Sequence, residues 1–481
     1  MSTTKTLSPL EAVFLHIESE RTPMHMASLA LFEGAPLTDG NGDLRIDDVR
    51  HLISSRLDLV PKLRQRPHPG LLNEAPPRWN DDPGFDITNH VTEGRLPSPG
   101  SEEQLLGLCG DLLSSPLDRS RPLWELTFVT GLEDGRVALI ERLHHSMADG
   151  LAAAELATVL LDLSPHAPQR ATPPPWHPAA PASAVETTVR DLVELARIGV
   201  RVPAWIGWSA LHPVRRAGSL QRTATAFASW IRGGIIAPRS PLNVDISASR
   251  AFHVVRIDLD DVKAVAHAHG AKVNDVVLTV VAGGLRPLLW GRGGDLPEDF
   301  LAVVPVDMAG DVTRDMDNQV STLFVRLPLD KENPVECLGI IAAETRAAKE
   351  QHQEAAFARA LRLLDPLPQS ALAVGSRLFQ HQHFFNLIVT NVPGPPVPLY
   401  ALGARLLEAF PVVPLIGDEG LAVAALSYGG RLNLGILSDP TVCPDVQVFC
   451  DGAEETIGRL VETSPRGGRA AEAGQRSTQL A

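Results

Sequence analysis

Cysteine is scarce in this 481-residue chain: Cys109, Cys337, Cys443 and Cys450 are scattered and show no CxxC spacing. They build neither a thiolate zinc site nor a disulfide framework, which fits a reducing compartment. Residues 1–10 are polar, include a proline and lack the apolar core of a signal peptide. The longest uncharged stretch lies between Arg377 and Arg405, and Pro393, Pro395, Pro396 and Pro398 within it exclude a membrane-spanning helix. Lysine is rare too, six of 43 basic residues, and the formal net charge is −14. A balance so acidic argues against a nucleic-acid partner held by phosphate neutralisation. The expectation is a cytoplasmic protein that meets a membrane only at its surface.

An apolar fraction of 44% and a charged fraction of 21% belong to a globular protein. The chain is too long for one ordinary core, so two or three lobes are expected. Residues 1–164 mix helical and strand patterns. Residues 165–240 open with a linker rich in proline (Pro165, Pro168, Pro173, Pro174, Pro175, Pro178, Pro181), and residues 241–463 resume the mixed pattern. The tail, 464–481, is rich in Gly, Ala and Arg and is expected to be disordered. Interleaved strands and helices make each outer zone an α/β sandwich. Leu421–Tyr428 and Arg431–Leu437 are apolar runs separated by Gly429-Gly430, the spacing of a hairpin with a primed two-residue turn.

Within the linker zone Val185, Val189, Leu192, Val193, Ala196 and Val200 recur at helical spacing, with Arg190, Glu194, Arg197 and Arg201 opposite. Trp205, Trp208 and Trp230 follow, among Arg215, Arg216, Arg222 and Arg232. From Arg190 to Arg239 eight Arg face only Asp191 and Glu194, a local charge of +6. Two readings stand: a segment drawn to an anionic membrane or lipid-droplet surface, or a bridging helix whose apolar stripe packs on a lobe.

The chemistry concentrates at His144-His145-Ser146-Met147-Ala148-Asp149-Gly150, where a strand-like run (Val137–Leu143) gives way to a helix-like one (Gly150–Leu163). Imidazole titrates near neutrality and can take a proton from an alcohol without a metal. Successive strand side chains face opposite ways, so one His of the pair serves as base and the other stands in the wall. His145 shares parity with Val137, Leu139 and Leu143, and His144 with Ala138 and Ile140.

These seven residues match the HHxxxDG motif and resemble the bacterial wax ester synthase/diacylglycerol acyltransferase family, within the CoA-dependent acyltransferases. Ser115-Pro116-Leu117-Asp118 and Arg121-Pro122-Leu123-Trp124-Glu125 lie where that family has its PLW segment. Asn274-Asp275-Val276-Val277-Leu278 and Thr390-Asn391-Val392-Pro393-Gly394-Pro395 look like its second and third signatures, and Leu7-Ser8-Pro9-Leu10-Glu11-Ala12 like its start. The resemblance covers roughly residues 7–463. It implies two α/β sandwich lobes of the chloramphenicol-acetyltransferase type, with the catalytic His in a channel between them.

The resemblance implies acyl-CoA as co-substrate, no cofactor or metal, and diacylglycerol or a long-chain alcohol as acceptor. His145 is the expected general base, with His144 supporting it by orienting His145, touching substrate or filling the wall. Asp149 is expected to be structural, at the first turn of the following helix and paired with an Arg. Gly150 is expected to permit a backbone geometry or a close approach that a Cβ would block. Asn274-Asp275 read as a helix N-cap with an acidic first turn, and the resemblance adds Asn274 as an active-site contact. Trp124 is a core aromatic. The chain departs from the family at Asp307-Met308-Ala309-Gly310 and Asp317-Asn318, which puts substrate preference in question rather than the reaction. Two other classes compete: a condensation-type enzyme fed by a carrier protein, and a non-catalytic lipid-surface binding protein.

Overall fold

The computed structural model describes residues 5–70, 74–148, 150–167, 175–179, 185–196, 237–294, 296–307, 320–350, 367–380 and 384–464. Two six-stranded sheets carry the fold, each with helices on its outer face. The first contains β2 (His25–Phe32), β5 (Val91–Arg95), β6 (Trp124–Thr130), β7 (Val137–His144), β12 (Tyr400–Ala401) and β13 (Ala404–Val412), in the spatial order β12-β13-β2-β7-β6-β5. The second contains β8 (Ala251–Asp258), β9 (Phe300–Asp307), β10 (Val320–Leu327), β11 (Leu387–Pro393), β14 (Leu421–Tyr428) and β15 (Arg431–Ser438), in the order β10-β9-β11-β14-β15-β8. A small sheet of β1 (Lys5–Thr6), β3 (Gln65–His68) and β4 (Arg78–Asp81) flanks the first.

Among the described residues the α-helices are α1 (Pro9–Ile17), α2 (Ile46–Ser54), α3 (Glu102–Leu113), α4 (Gly150–Leu160), α5 (185–196), α6 (Leu259–Ala268), α7 (Val273–Trp290), α8 (Pro334–Glu350), α9 (Gln369–Gln380) and α10 (Val446–Glu462). The hairpin forms as its spacing predicts: Tyr428 pairs with Arg431, and Gly429 and Gly430 take φ of 57° and 81°, backbone open to glycine at no steric cost. Helix α7 is apolar enough by composition to cross a membrane, but it is mostly buried against the second sheet.

Strand β7 buries both faces. Val137, Leu139 and Leu143 join the core under α2 and α4, while Ala138 and Ile140 join a core between the sheets with Phe252, Ala422 and Leu437. The zones read from composition do not map one-to-one onto the sheets. Strands β12 and β13 belong to the 241–463 stretch in sequence, yet β13 pairs antiparallel with β2 of the first sheet. Asn433 of β15 donates its amide to Ala409 O at 2.9 Å, and Arg256 of β8 joins Glu408 of β13 at 3.0 Å and Glu102 of α3 at 2.6 Å. The two lobes are therefore one chain-crossed unit around the seam where the site lies.

Helix α5 corrects one reading from sequence. Its apolar stripe does not pack on a lobe: Val185, Val189, Leu192 and Val193 are all exposed. The helix is held instead by Asp191, paired with Arg78 of β4 at 2.6 Å. Upstream, Trp176 packs edge-on against Phe85, and Ala179 N–H donates to Asp81. The Trp-bearing stretch after residue 196, and the tail after Ser464, lie outside the described residues.

Candidate active site

Strand β7 runs one residue further than the apolar pattern suggested and ends on His144; His145 lies in the turn that follows. Strand parity thus does not decide which ring is accessible. Burial does: His144 is fully buried and His145 is half-buried. The backbone of the pair is held from both sides. His144 N–H donates to Leu123 O at 2.9 Å, His145 N–H to Met24 O at 2.8 Å, and Met147 N–H closes the turn onto His144 O at 2.8 Å. Leu123 belongs to the Arg121–Glu125 segment, whose Trp124 is buried and donates its indole N–H to Leu63 O at 2.7 Å.

The His144 ring has one proton arrangement consistent with its neighbours. Ser146 N–H donates to Nδ1 at 3.0 Å, with Ser146 Oγ 2.8 Å from the same nitrogen, so Nδ1 is an acceptor and the proton sits on Nε2. Nε2 lies 3.3 Å from Glu18 Oε1. Burial works to raise the Glu18 carboxyl, but His144 and Arg119 outweigh it and lower it from 4.5 to about 2. Arg119 Nε donates to Glu18 Oε2 at 2.7 Å, and Met24 N–H donates to Oε1 at 3.3 Å. One carboxylate therefore touches the ring of His144 and the residue whose carbonyl holds His145. Across the strand pair stands His25, opposite His144; its burial, with Arg142 nearby, lowers it to about 3 and keeps it neutral.

The ring of His145 stacks on Phe14 of α1, centroids 4.1 Å apart at 20°. Helix α1 starts on a capping box: Ser8 Oγ accepts Glu11 N–H at 3.2 Å and Ser8 N–H donates to Glu11 Oε2 at 2.7 Å, with Pro9 at the first helical position. Lys62 pairs with the same Glu11 at 2.8 Å. A bond of 3.1 Å between His16 and Gln369 ties α1 to α9, an element from the second half of the chain.

Helix α4 begins at Gly150 and ends at Leu160, three residues short of the run read from sequence. A Cβ built on Gly150 would meet only Val392 of β11, at an ordinary 3.5 Å, and its φ is not left-handed, so the expected steric block is not there. What the position does show is contact between the His-bearing turn and the Thr390–Pro395 signature. Its first four residues, Thr390–Pro393, complete β11, and Gly394 follows so close to β14 that a Cβ would fall 2.2 Å from Ser427 O. Strand β11 pairs with β14 from Ile388 to Pro393 but with β9 only at Leu387 and Ile388. The second sheet thus opens between β9 and β11 beside Gly150.

Asn274 and Asp275 are not the cap. Helix α7 starts at Val273 with Lys272 in the cap position, which makes Asn274 the second helical residue and Asp275 the third. Asp275 is buried, accepts Lys272 N–H at 2.8 Å and accepts Thr345 Oγ1–H at 2.8 Å, a role in closing the helix start. Asn274 is half-buried, and its helix packs against β11. Asp149 lies outside the described residues, as do Met308–Gly310 and Asp317-Asn318.

Residues 7–277 match the wax ester synthase/diacylglycerol acyltransferase catalytic domain, and residues 316–460 match the C-terminal domain of the same family. The chain belongs to this family. A Mycobacterium tuberculosis relative, named a probable diacyglycerol O-acyltransferase, is 34% identical over 470 residues, 96% of each chain. The wax ester synthase/diacylglycerol acyltransferase from Marinobacter aquaeolei VT8 superposes with a TM-score of 0.66 at 26% identity, covering 95% of this chain and 98% of that one. The first condensation domain of the calcium-dependent antibiotic synthetase shares the fold, with a TM-score of 0.59 at 14% identity, covering 96% and 98%. The protein is thus an acyltransferase of two lobes, as the motifs implied.

Sequence reasoning missed three of the residues around the acyltransferase's histidines: Phe14, Glu18 and Ser146. Glu18 sits in the polar stretch Glu18-Ser19-Glu20-Arg21, where nothing local separates a buried carboxylate from a solvated one. Ser146 lay inside the motif and could have been read, since a hydroxyl two residues from an imidazole is within reach of its Nδ1.

Proposed function

We propose that this acyltransferase moves a fatty acyl group from acyl-CoA to the free hydroxyl of diacylglycerol, making triacylglycerol, and also accepts long-chain alcohols, making wax esters. The acceptor oxygen attacks the thioester carbonyl as its proton passes to His145. The C–S bond then breaks, and the imidazolium returns the proton to the departing CoA thiolate. No acyl-enzyme is needed, and the direct transfer calls for no cofactor or metal. One observation carries the choice of base: of the two histidines only His145 presents an accessible ring, while His144 is buried with one nitrogen on Ser146 and the other toward Glu18. His144 then acts as support, Asp275 and Asp149 as structure, and Asn274 as a contact near the channel mouth.

The acceptors are water-insoluble, so the proposal places the enzyme in the cytoplasm in peripheral contact with the inner membrane face or a lipid droplet. The reaction is tested with labelled acyl-CoA and dioleoylglycerol or hexadecanol, following neutral lipid by thin-layer chromatography. Label in triacylglycerol supports the first activity, and label in wax ester the second. A folded His145→Ala variant with wild-type turnover would overturn the base assignment.

A further inference from the structure

We infer that Glu141, with Ser28 beside it, holds the pantetheine arm of the acyl-CoA donor in a channel on the α4 side of the first sheet. The inference rests on the proposed function and deepens it by naming residues that recognise the donor. Glu141 lies on β7, four residues before His145, on the strand face that carries Val137, Leu139 and Leu143. His145 reaches the same side: its ring stacks on Phe14 of α1, and Leu15 of that helix packs against the same core. Opposite Glu141 on β2 stands Ser28, whose Oγ–H donates to Glu141 Oε2 at 3.0 Å.

The pair is poorly placed for a structural role. Its neighbours on this face, Met26, Ala30, Leu126, Leu139 and Leu143, are buried and apolar. Among the described residues Ser28 is the carboxyl's one hydrogen-bond partner, and no cation pairs with it. Burial pushes that carboxyl up from 4.5. Yet Glu141, Ser28 and Pro411, which stands opposite Ser28 on β13, each keep accessible surface. Deep and open at once, they line an internal channel. Leu143 is closed at 2% exposure, whereas Met26, opposite it on β2, keeps 8%, so the open line toward His145 runs over β2. Chemistry and distance select the occupant. Four residues at about 3.3 Å each put Glu141 about 13 Å from His145. In an extended acyl-CoA, at roughly 1.2 Å per bond, the second amide nitrogen of the arm and its hydroxyl lie about 10–13 Å from the thioester carbonyl. Ionised, Glu141 accepts that N–H or O–H; protonated, it donates to the adjoining amide carbonyl. On the same scale the ester oxygens of diacylglycerol lie only about 6–7 Å from its reacting hydroxyl. A long-chain alcohol has no second polar group, and a hydrocarbon chain lying there would leave the carboxyl desolvated and unmatched.

The test compares dodecanoyl-CoA with the dodecanoyl thioester of N-acetylcysteamine, which keeps the first amide of the arm and ends before the second. Dioleoylglycerol is the fixed acceptor, and wild type is set beside Glu141→Leu and Glu141→Gln. The quantity read is the ratio of kcat/KM for the two donors. In Glu141→Leu this preference for dodecanoyl-CoA is expected to fall about ten- to hundredfold, the worth of a hydrogen bond to a carboxylate. Glu141→Gln, which keeps an acceptor oxygen, is expected to lose less. An unchanged ratio in Glu141→Leu overturns the inference. That holds if both donors slow equally, which would assign the carboxyl to the fold, and if only the KM for dioleoylglycerol rises, which would assign it to the acceptor. Calorimetric titration with coenzyme A reads the contact without turnover, and Glu141→Leu is expected to raise its Kd by a similar factor. Equal coenzyme A binding by wild type and Glu141→Leu overturns the contact and leaves acyl transfer standing. Weaker binding by the variant, in a protein that transfers acyl groups to no acceptor, supports the contact and refutes the activity.

Discussion

Replacing Glu18 by Gln keeps the side chain's shape and removes its charge, which isolates what the carboxylate contributes. The charge is held by Arg119 at 2.7 Å, lies 3.3 Å from His144 Nε2 and accepts Met24 N–H at 3.3 Å. Its fall from 4.5 to about 2 corresponds, at about 1.4 kcal/mol per pH unit, to about 3 kcal/mol of preference for the ionised form in the folded state. Arg119 is partly exposed, so screening trims this, and a loss of about 2 kcal/mol is expected for Glu18→Gln at neutral pH. A depressed carboxyl stabilises the fold fully above its unfolded value of 4.5, and that contribution is lost as pH falls through about 2. Urea denaturation of wild type and variant across this range should therefore show a gap that is widest near neutrality and narrows below 4.5. A gap independent of pH would refute the electrostatic account. Because Met24 O also holds the His145 backbone, kcat should fall while KM changes little; a change confined to KM would show that Glu18 does not position the base.

His145→Ala should melt as wild type does and lose about 10²–10⁴-fold in rate, whereas His144→Ala, which empties a fully buried position, should lose less activity and about 2–4 kcal/mol of stability by thermal unfolding. His25, lowered to about 3, contributes stability that is full above 6.5 and lost as pH falls through 3, on the order of 5 kcal/mol in all; a folded His25→Gln variant should lack this acid-side slope, and an unchanged slope would assign it to other groups. Gly394→Ala, with a Cβ 2.2 Å from Ser427 O, should cost more than about 2 kcal/mol, while Gly150→Ala should change stability by less than about 1 kcal/mol, so equal melting temperatures for the two variants would contradict the packing described.

Much of the architecture could be read where the signal is local. The two-residue hairpin follows from Gly429-Gly430 between apolar runs, and β7 from a run that ends at a pair of histidines. Boundaries moved by a few residues: β7 takes in His144, α4 stops at Leu160, and α7 starts before Asn274. Leu123 O takes the His144 N–H, Tyr400 O takes the Asp162 N–H just beyond α4, and the Asp275 carboxylate takes the Lys272 N–H at the start of α7. Gly150 was read as a steric necessity, but that depends on what lies opposite, and opposite lies only a valine methyl at contact distance.

The sequence by itself determined that this chain folds as α/β lobes, that its chemistry centres on an imidazole pair at a strand–helix junction, and which family it belongs to. These follow from residue types at short, regular spacings. The tertiary structure alone decided which histidine is accessible, because burial of His144 depends on Glu18 and His25, which arrive from outside the motif. It decided that β13 leaves its own half of the chain to pair with β2, since both sheets offer an apolar strand face and only packing chooses between them. It also decided that the apolar face of α5 points outward. The spacing of its valines is the same whichever way the helix is turned, and the buried pair of Asp191 with Arg78 sets the direction.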